Sequence, residues 1–502
     1  MFNVQQKVEF LYKVWGNDLY GDLQMIDYKY KTKPFDHQDK DFLLSRDMDE
    51  YALFWEMGLG KSKTTVDTAA WLYATGKINA VFILGNKGSY RNWVTKELPE
   101  HMPDYIDWVG TYWDSAASTE LKKSYDLLLT PMEPLKIFVM NIEALAFDRS
   151  FKTAESFVNC HRTLMVIDES TTIKNRDAKR TKAAFKIGRK ADYRRILTGS
   201  PVTNNPLDLF SQAWFLNPHL LGFTSFYTFR AKYAEMVKIT AGNRAFTKVK
   251  GFKNLDELTK SIQTWSSRRT KLECLDLPEK IYQYYEVELT DEQKKHYKSL
   301  KEKAMAELDG QLVSAPIVLT KLLRLHQLVC GHLTTDDGTV IPIENNRMKA
   351  LMEVLDEASG KVIIWANYRS DIKDIEARLQ EEFGKKAIVS YYGDTSNEDR
   401  QEAVRRFQTD PDCTYFVGNP QTGGFGITLT AATNVVYYSN SYNLEHRLQS
   451  EDRAHRIGQK NTVTYVDLIC RKSVDEKIVK ALREKKMLSS QVLGDEWKEW
   501  LS

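Results

Sequence analysis

Two short stretches carry residue types that can handle a phosphate and a metal ion. In EMGLGKSKTT, Gly58 and Gly60 are followed by Lys61 and Ser62. Where a strand feeds a helix, backbone N–H groups of a glycine-rich turn converge on phosphate oxygens. The lysine adds a mobile positive charge and the hydroxyl ligates Mg2+. The general phosphate-loop pattern also wants glycine at position 55, where this chain has Trp55. Alone, Gly-Lys-Ser fits a plain glycine turn as well. The second stretch, TLMVIDES, is an apolar run ending in Asp168 and Glu169. Two carboxylates at a strand end suit Mg2+-dependent hydrolysis, one holding the metal through water and the other orienting or deprotonating the attacking water. A buried strand that runs into an acidic loop accounts for the same residues; their place downstream of a phosphate loop favours the chemical reading.

Both stretches need strands that end at one site. Candidates are YALFW (51–55), NAVFILG (79–85), KIFVMN (136–141), TLMVID (163–168) and RRILTG (194–199). Each is rich in β-branched or aromatic residues, and several run apolar on both faces, as strands of a parallel sheet covered by helices do. Between the first two, KTTVDTAAWLYATG (63–76) has a helical pattern ended by Gly76. Residues 205–345 read differently, with long helical patterns such as DEQKKHYKSLKEKAMAEL (291–308) and PIVLTKLLRLHQLV (316–329) and few clear strands. Alternation then returns in KVIIWANY (361–368), KAIVSYYG (386–393), TYFVGN (414–419), NVVYYSN (434–440) and TVTYVDLIC (462–470). The pattern predicts two α/β units separated by a helical section. The tail, 486–502, carries no signal.

At 502 residues the chain exceeds the size at which one core stops growing. Its 42% hydrophobic and 28% charged residues are a globular balance. No apolar run approaches the roughly 18 residues of a membrane span, and MFNVQQKVEFLYKV lacks the features of a secretory signal. The five scattered cysteines read as reduced thiols rather than a zinc site, and His161, His332 and His455 as structural. A net charge of +3 excludes a uniformly basic protein, yet residues 174–195 hold ten basic residues against two acidic ones. That run suits a solvated helix face and phosphate contacts equally.

Further motifs fix a resemblance. RRILTGSPVTNNPLDLFSQAWFLNP (194–218), QTGGFGITL (421–429) and LQSEDRAHRIGQ (448–459) occur in that order. With them the chain resembles superfamily-two helicase-like ATPases, and specifically the Swi/Snf family of DNA translocases, from about residue 34 to 482. In that family the loop reads D-E-M-G-L-G-K-T, so position 55 is not a glycine there; Trp55 replaces its aspartate. KPFDHQ (33–38) resembles the adenine-contacting segment, with Gln38 as its glutamine. GNKGSYRNW (85–93), with Lys87, Asn92 and Trp93, resembles the motif that faces the nucleic-acid backbone, although Asn86 replaces its proline. DESTTIKN (168–175) is similar to D-E-A-H-R-I-K-N: Ser170 and Thr171 replace Ala-His, while Lys174 and Asn175 remain. RRTKLECLDLPEKIYQYYEVELTDEQKKHY (268–297) resembles the linker between lobes, and YYGDTSNEDRQEAVRRF (391–407) and DRAHRIGQ (452–459) the second lobe.

The resemblance implies an α/β protein of two RecA-like parallel-sheet lobes with Swi/Snf-type helical insertions. Lobe one would span 1–275 with an insertion at about 205–265; lobe two would span 276–502 with an insertion at about 290–340 and a short tail. Lys61, Asp168, Glu169, Arg453 and Arg456 would be catalytic. Gln38, Gly58, Gly60, Lys61 and Ser62 would hold ATP, with Ser62 and Asp168 on Mg2+ through the nucleotide. Lys87, Asn92, Trp93, Lys174, Asn175, Gly423 and Gly424 would face nucleic acid. Arg453 and Arg456, three apart, would share one helix face and project across the cleft onto the γ-phosphate; such fingers contribute roughly 10³–10⁵ in rate elsewhere. The implied activity is ATP-driven translocation on double-stranded DNA, in repair, recombination or fork processing. The implied setting is a compact viral or bacterial motor in the cytoplasm of a bacterium or a virus-infected host cell. An RNA-directed helicase of the same superfamily, or a motor subunit of a restriction or RNA-polymerase-recycling complex, are the alternatives.

Overall fold

Apolar runs buried on both faces build two parallel sheets. The computed structural model describes residues 28–130, 133–241, 244–308, 315–335, 337–423 and 427–493. Its strands begin with β1 (Glu50–Trp55), β2 (Ala80–Gly85), β3 (Trp108–Tyr112), β4 (Leu135–Asn141), β5 (Thr163–Asp168) and β6 (Tyr193–Leu197). Next come β7 (Ala234–Ala241), β8 (Arg244–Phe252), β9 (Ser266–Arg269) and β10 (Lys280–Val287). They close with β11 (His332–Thr334), β12 (Val340–Pro342), β13 (Lys361–Trp365), β14 (Ile388–Tyr391), β15 (Tyr415–Gly418), β16 (Ala432–Tyr437) and β17 (Val463–Cys470). The first sheet has the order β3-β4-β2-β5-β6-β1-β9 and the second β10-β17-β16-β13-β15-β14. Every pairing in both is parallel.

Strand periodicity sorts the core into layers. In the first sheet Phe54 and Phe82 point into one layer, while Leu53, Trp55, Val81 and Ile83 point into the other. Trp55 is fully buried and its indole N–H donates to Ser267 Oγ at 2.8 Å, tying β1 to the edge strand β9. The residue that breaks the phosphate-loop pattern is therefore a core residue that anchors the edge strand. The second sheet repeats the arrangement, with Val362 and Ile364 on one side and Ile363 and Trp365 on the other.

The middle of the chain holds more strand than its sequence pattern predicts. The segment at about 205–265 is not a purely helical insertion: helices Asp208–Leu216 and Phe226–Tyr233 are followed by the antiparallel β7–β8 hairpin and then by helix Leu255–Ile262. Lysines interrupt the hairpin's alternation, β9 is the short polar run SSRR, and β10 is an edge strand with mostly exposed residues, so none presents an apolar run. Gly110 interrupts β3 in the same way. The last helix, Val474–Leu493, buries Ile478 and Leu482 in the core of the second sheet and Val492 and Leu493 in that of the first. Thr259 Oγ1 donates to Val492 O at 2.8 Å. Residues 486–493 are thus where this helix crosses between the two sheets.

Candidate active site between the two sheets

β1 delivers the chain into the turn Glu56–Gly60, and helix Lys61–Ala74 starts directly after it. Gly58 and Gly60 both have φ of +82°, the left-handed region that glycine enters without a steric cost. At Gly60 the need is double, because a Cβ there would lie 2.1 Å from Gln38 Nε2. Gln38 is buried; its amide donates to Leu59 O at 3.0 Å and its Oε1 accepts from Phe35 N at 3.1 Å. The amide expected on adenine here braces the turn, and beside it opens a cleft of about 710 Å³ whose lining includes Lys33, Phe35, His37 and Arg269. Lys61 Nζ donates to the carbonyls of Trp55 (2.9 Å) and Glu56 (3.3 Å). Burial lowers the Lys61 pKa, with Glu169 and Asp168 opposing the shift.

Asp168 ends β5, and Glu169 follows with φ of 53°, a strained conformation for a non-glycine residue. Burial pushes the carboxyls of both upward, that of Glu169 to about 8, against the pull of Lys61. Asp168 Oδ2 accepts from the Trp93 indole at 3.1 Å. Trp93 is only 2% exposed, which corrects its expected place on the nucleic-acid face. A π-helical turn, Trp93–Glu97, rotates its ring inward to Asp168. The same turn supplies Glu97, whose carboxyl is raised by burial and by Asp168 and accepts a hydrogen bond from Ser62. Ser62 and Asp168 therefore flank one acid that the motifs did not single out.

These donors fit Mg2+. A serine hydroxyl and a carboxylate are hard oxygen ligands, and their number suits an ion that keeps its waters and phosphate oxygens. Among the described residues no group of three or more His, Cys, Asp or Glu could hold a metal ion by itself.

The second sheet closes the site. Helix Leu444–Ala454 ends where His455 leaves helical geometry, with φ of −102° and ψ of 84°. Arg453 lies in its last turn and Arg456 beyond it, so the expectation of a shared helix face is corrected. The two guanidinium groups nonetheless converge: both donate to Ile427 O, Arg453 at 3.0 Å and Arg456 at 3.2 Å. Arg453 Nη2 is 3.7 Å from Met57 Sδ, and Arg456 Cβ lies 3.8 Å from where a Cβ on Gly58 would be. Both arginines thus reach the Met57–Gly58 turn from the other sheet. Burial, with Arg456 nearby, brings the Arg453 pKa down to about 10.

Two further contacts span the cleft. Thr171, standing where the resemblance expects histidine, donates to Glu445 at 2.9 Å. Lys271 pairs with Asp452 at 2.7 Å and also donates to His455 O. A cavity of about 80 Å³ lies between Glu56, Met57 and Glu169 on one side and Glu445, Asp452 and Lys486 on the other.

The remaining expected nucleic-acid residues are dispersed. Lys87 and Asn92 are exposed on the segment after β2. Lys174 Nζ donates to Thr203 Oγ1 at 2.6 Å, and Asn175 Oδ1 accepts from Asp177 N at 3.0 Å. Gly423 ends the short helix Pro420–Gly423, and Gly424 lies outside the described residues. Much of the basic run 174–195 has structural work. Arg195 is buried on the carbonyls of Ser45 (2.8 Å) and Met48 (2.7 Å), Arg194 meets Glu50 at 2.5 Å, and Lys190 meets Glu155 at 2.8 Å. The three histidines have structural partners: Leu128 O for His161, Asp371 for His332 and Pro278 O for His455.

Comparison with known proteins matches the chain to two families. Residues 6–333 match the SNF2-related domain, and residues 346–458 match the helicase conserved C-terminal domain. The chain is 28% identical over 383 residues to the TATA-binding protein-associated factor MOT1 of Saccharomyces cerevisiae, covering 66% of this chain and 20% of that protein. It is 27% identical over 450 residues to an uncharacterized ATP-dependent helicase of Mycoplasma pneumoniae, covering 88% and 40%. It is 26% identical over 488 residues to the DNA annealing helicase and endonuclease ZRANB3 of Bos taurus, covering 95% and 42%. The chain thus spans less than half the length of these relatives. Among solved structures, the Sulfolobus solfataricus SWI2/SNF2 ATPase core in complex with dsDNA is 26% identical, with a TM-score of 0.41 and coverage of 95% of this chain and 96% of that one.

Proposed function

Because this chain belongs to the SNF2-related family of helicase-like ATPases, we propose that it hydrolyses ATP between two lobes in order to move along double-stranded DNA. The lobes are residues 1–275 and 276–502, divided between β9 of the first sheet and β10 of the second. The observation that carries the proposal is the meeting of Arg453 and Arg456 with the Met57–Gly58 turn across the two sheets.

The turn Gly58–Ser62 cradles the phosphates, and Lys61 leaves the carbonyls of Trp55 and Glu56 to meet them. Adenine enters the cleft beside Phe35, with Gln38 linking that cleft to the turn. Ser62 and Asp168 would hold Mg2+ through the nucleotide, and the bound ion would supply positive charge to the phosphates. Trp93 positions Asp168. Glu169 orients the attacking water and accepts its proton, and Arg453 and Arg456 neutralise charge growing on the γ-phosphate. Since the arginines and the phosphate turn lie on different lobes, hydrolysis requires closure. Duplex DNA that bridges the lobes favours closure and so stimulates turnover.

Lys87, Asn92, Lys174, Asn175, Gly423 and Gly424 contact the DNA backbone, which gives affinity without sequence preference. The name of the relative ZRANB3, a DNA annealing helicase and endonuclease, supports DNA as the substrate, and repair, recombination or fork processing is the setting of the proposal. No helix among the described residues is long and apolar enough to cross a membrane, and we place the protein in the cytoplasm of a bacterium or of a virus-infected cell. The test compares ATPase rates on duplex, single-stranded and forked DNA and on RNA, beside triplex displacement and duplex unwinding. Duplex-stimulated turnover with triplex displacement is expected. Stimulation by RNA alone, or efficient unwinding without triplex displacement, sinks the proposal.

A further inference from the structure

The β7–β8 hairpin joins neither large sheet. A two-stranded ribbon is marginal on its own, and this one is fixed at its base. There Ala234 is buried, Lys253 N donates to Tyr233 O at 3.0 Å, and the Asn254 amide donates to Lys232 O at 2.8 Å. Beyond the base the charge is one-sided. Residues 235–252 contain four Lys and Arg against the single acid Glu235, whereas the whole chain has 71 basic and 68 acidic residues.

A basic run is commonly a solvated face, but three observations favour a polyanion here. First, Lys238, Lys248, Lys250 and Lys253 are exposed; among the described residues none of them has an ion-pair partner, so salt bridges do not account for the excess. Second, the register pairs Lys238 with Thr247 and Val237 with Lys248, while Lys250 sits in the bulge between the pairs Met236–Val249 and Glu235–Gly251. Adjacent residues on a strand face opposite ways, so Lys238 and Lys248 stand on opposite faces of the ribbon. Third, the ribbon rises from helix Phe226–Tyr233, where Tyr227, 60% exposed, lies under Arg176 at 4.9 Å and Arg230 at 5.3 Å. Arg176 directly follows Lys174 and Asn175 on the segment leaving the catalytic carboxylates.

A two-stranded ribbon fits the major groove of B-DNA, whose two walls are phosphate backbones. We propose that β7–β8 is a second duplex grip: it enters the major groove beside the motor cleft and places lysines from its two faces on opposite phosphate walls. Contacts of this kind hold any sequence. The proposal rests on the DNA reading above and extends it to an element that none of the family motifs covers.

The test uses the full chain and a fluorescent mixed-sequence duplex, with a single strand of equal length as the second probe, titrated across a series of salt concentrations. Each lysine that displaces a counterion contributes about 0.9 to the salt slope. The triple variant Lys238→Gln, Lys248→Gln, Lys250→Gln is expected to lose roughly two to three of that slope and about tenfold or more in duplex affinity. The corresponding triple arginine variant is expected to keep both. Unchanged slope and affinity in the glutamine variant overturn the grip, as does a loss confined to the single strand or an equal loss in the arginine variant. Melting temperature monitors the fold, and Lys248→Glu alone gives the same readout should the triple variant misfold. A wild type that fails to bind duplex overturns the DNA reading and the grip with it. Duplex binding retained by the glutamine variant overturns the grip alone.

Discussion

The cleft and the outer face of this molecule hold their polar residues in opposite ways. In the cleft each functional side chain rests on another group: Lys61 on two carbonyls of its own turn, Asp168 on Trp93, Ser62 on Glu97, Thr171 on Glu445, and Arg453 and Arg456 on Ile427 O. On the outer face Lys87, Asn92, Lys238 and Lys248 stand in solvent. Burial shifts the cleft groups from their ordinary pKa values and strengthens each charge–charge interaction there. In solvent the same charges are screened and act nearly independently. Removing one residue from the cleft should therefore disable the site, and removing one from the face should weaken it by a small, salt-dependent step.

The strongest way to break this contrast is Lys61→Ala. ATP turnover is expected to vanish with Mg2+ and duplex present, while the melting temperature stays near that of the wild type. Turnover near the wild-type rate, read by phosphate release, removes Lys61 from the site. Arg456→Ala follows, with ATP and duplex binding kept and DNA-stimulated turnover reduced roughly 10³-fold or more. If instead ATP binding is lost and no separate rate defect is left, Arg456 acts as a structural residue.

Glu169→Gln sharpens the role of burial. It is expected to bind ATP and hydrolyse it about 10²–10⁴ times more slowly. In the wild type kcat/KM, which reports the free enzyme, should rise with pH up to about 8, where Glu169 loses its proton. The stability sign follows from the same shift. The folded carboxyl holds its proton to about 8 while the unfolded one releases it near 4.5, so the folded state binds more protons between them. This group's contribution to stability is therefore full below 4.5, falls as pH rises, and stays low above about 8. The melting-temperature advantage of Glu169→Gln over the wild type should grow across that window. A constant difference from pH 4.5 to 8 contradicts the shift.

What the sequence discloses follows from how local each feature is. The glycine turn is legible because Gly58, Gly60 and Lys61 are consecutive with the strand and helix that flank it. Asp168 and Glu169 are legible because β5 is an unbroken apolar run. Trp93 is misplaced by its motif because its inward direction depends on the π-helical turn, which residue types do not encode. Glu97 is missed because it becomes a neighbour of Ser62 and Asp168 only through that turn. Arg456 is near its expected place by another route, since the helix ends before it and the chain's turn brings it back to Ile427. The edge strands β9 and β10 and the β7–β8 ribbon escape notice for one reason: a strand without two buried faces has no need of an apolar run.

Thr171 is the intermediate case, a hydroxyl donating to a carboxyl at the lobe contact. Thr171→Val keeps the side-chain shape and removes the donor to Glu445. Such a bond contributes about 1 kcal/mol, equivalent to roughly a fivefold shift toward the open arrangement. We expect the duplex concentration for half-maximal ATPase stimulation to rise by about that factor, with the rate at saturating duplex little changed. A fall in saturated rate without a change in that concentration places Thr171 in the chemical step rather than in closure.

The smallest effect belongs to the outer face. Lys87 is exposed on the segment after β2 and, among the described residues, makes no ion pair. If it meets one phosphate, Lys87→Ala costs a single counterion's worth of binding. The salt slope should fall by about 0.9, and affinity should fall by less than about tenfold at moderate salt. The loss should be the same for duplexes of different sequence, because a phosphate contact carries no base information. Combined with Lys248→Gln, on a separate element, the two losses should add, since distant exposed charges share no partner. Combined with Arg456→Ala, which keeps duplex binding, the binding loss should remain that of Lys87→Ala alone, and the turnover of the double variant should stay at the Arg456→Ala level. A sequence-dependent loss on Lys87→Ala would show base contact, and a turnover defect at saturating duplex would show that Lys87 reaches the cleft. Either result breaks the division between a buried site that performs chemistry and an exposed face that only holds.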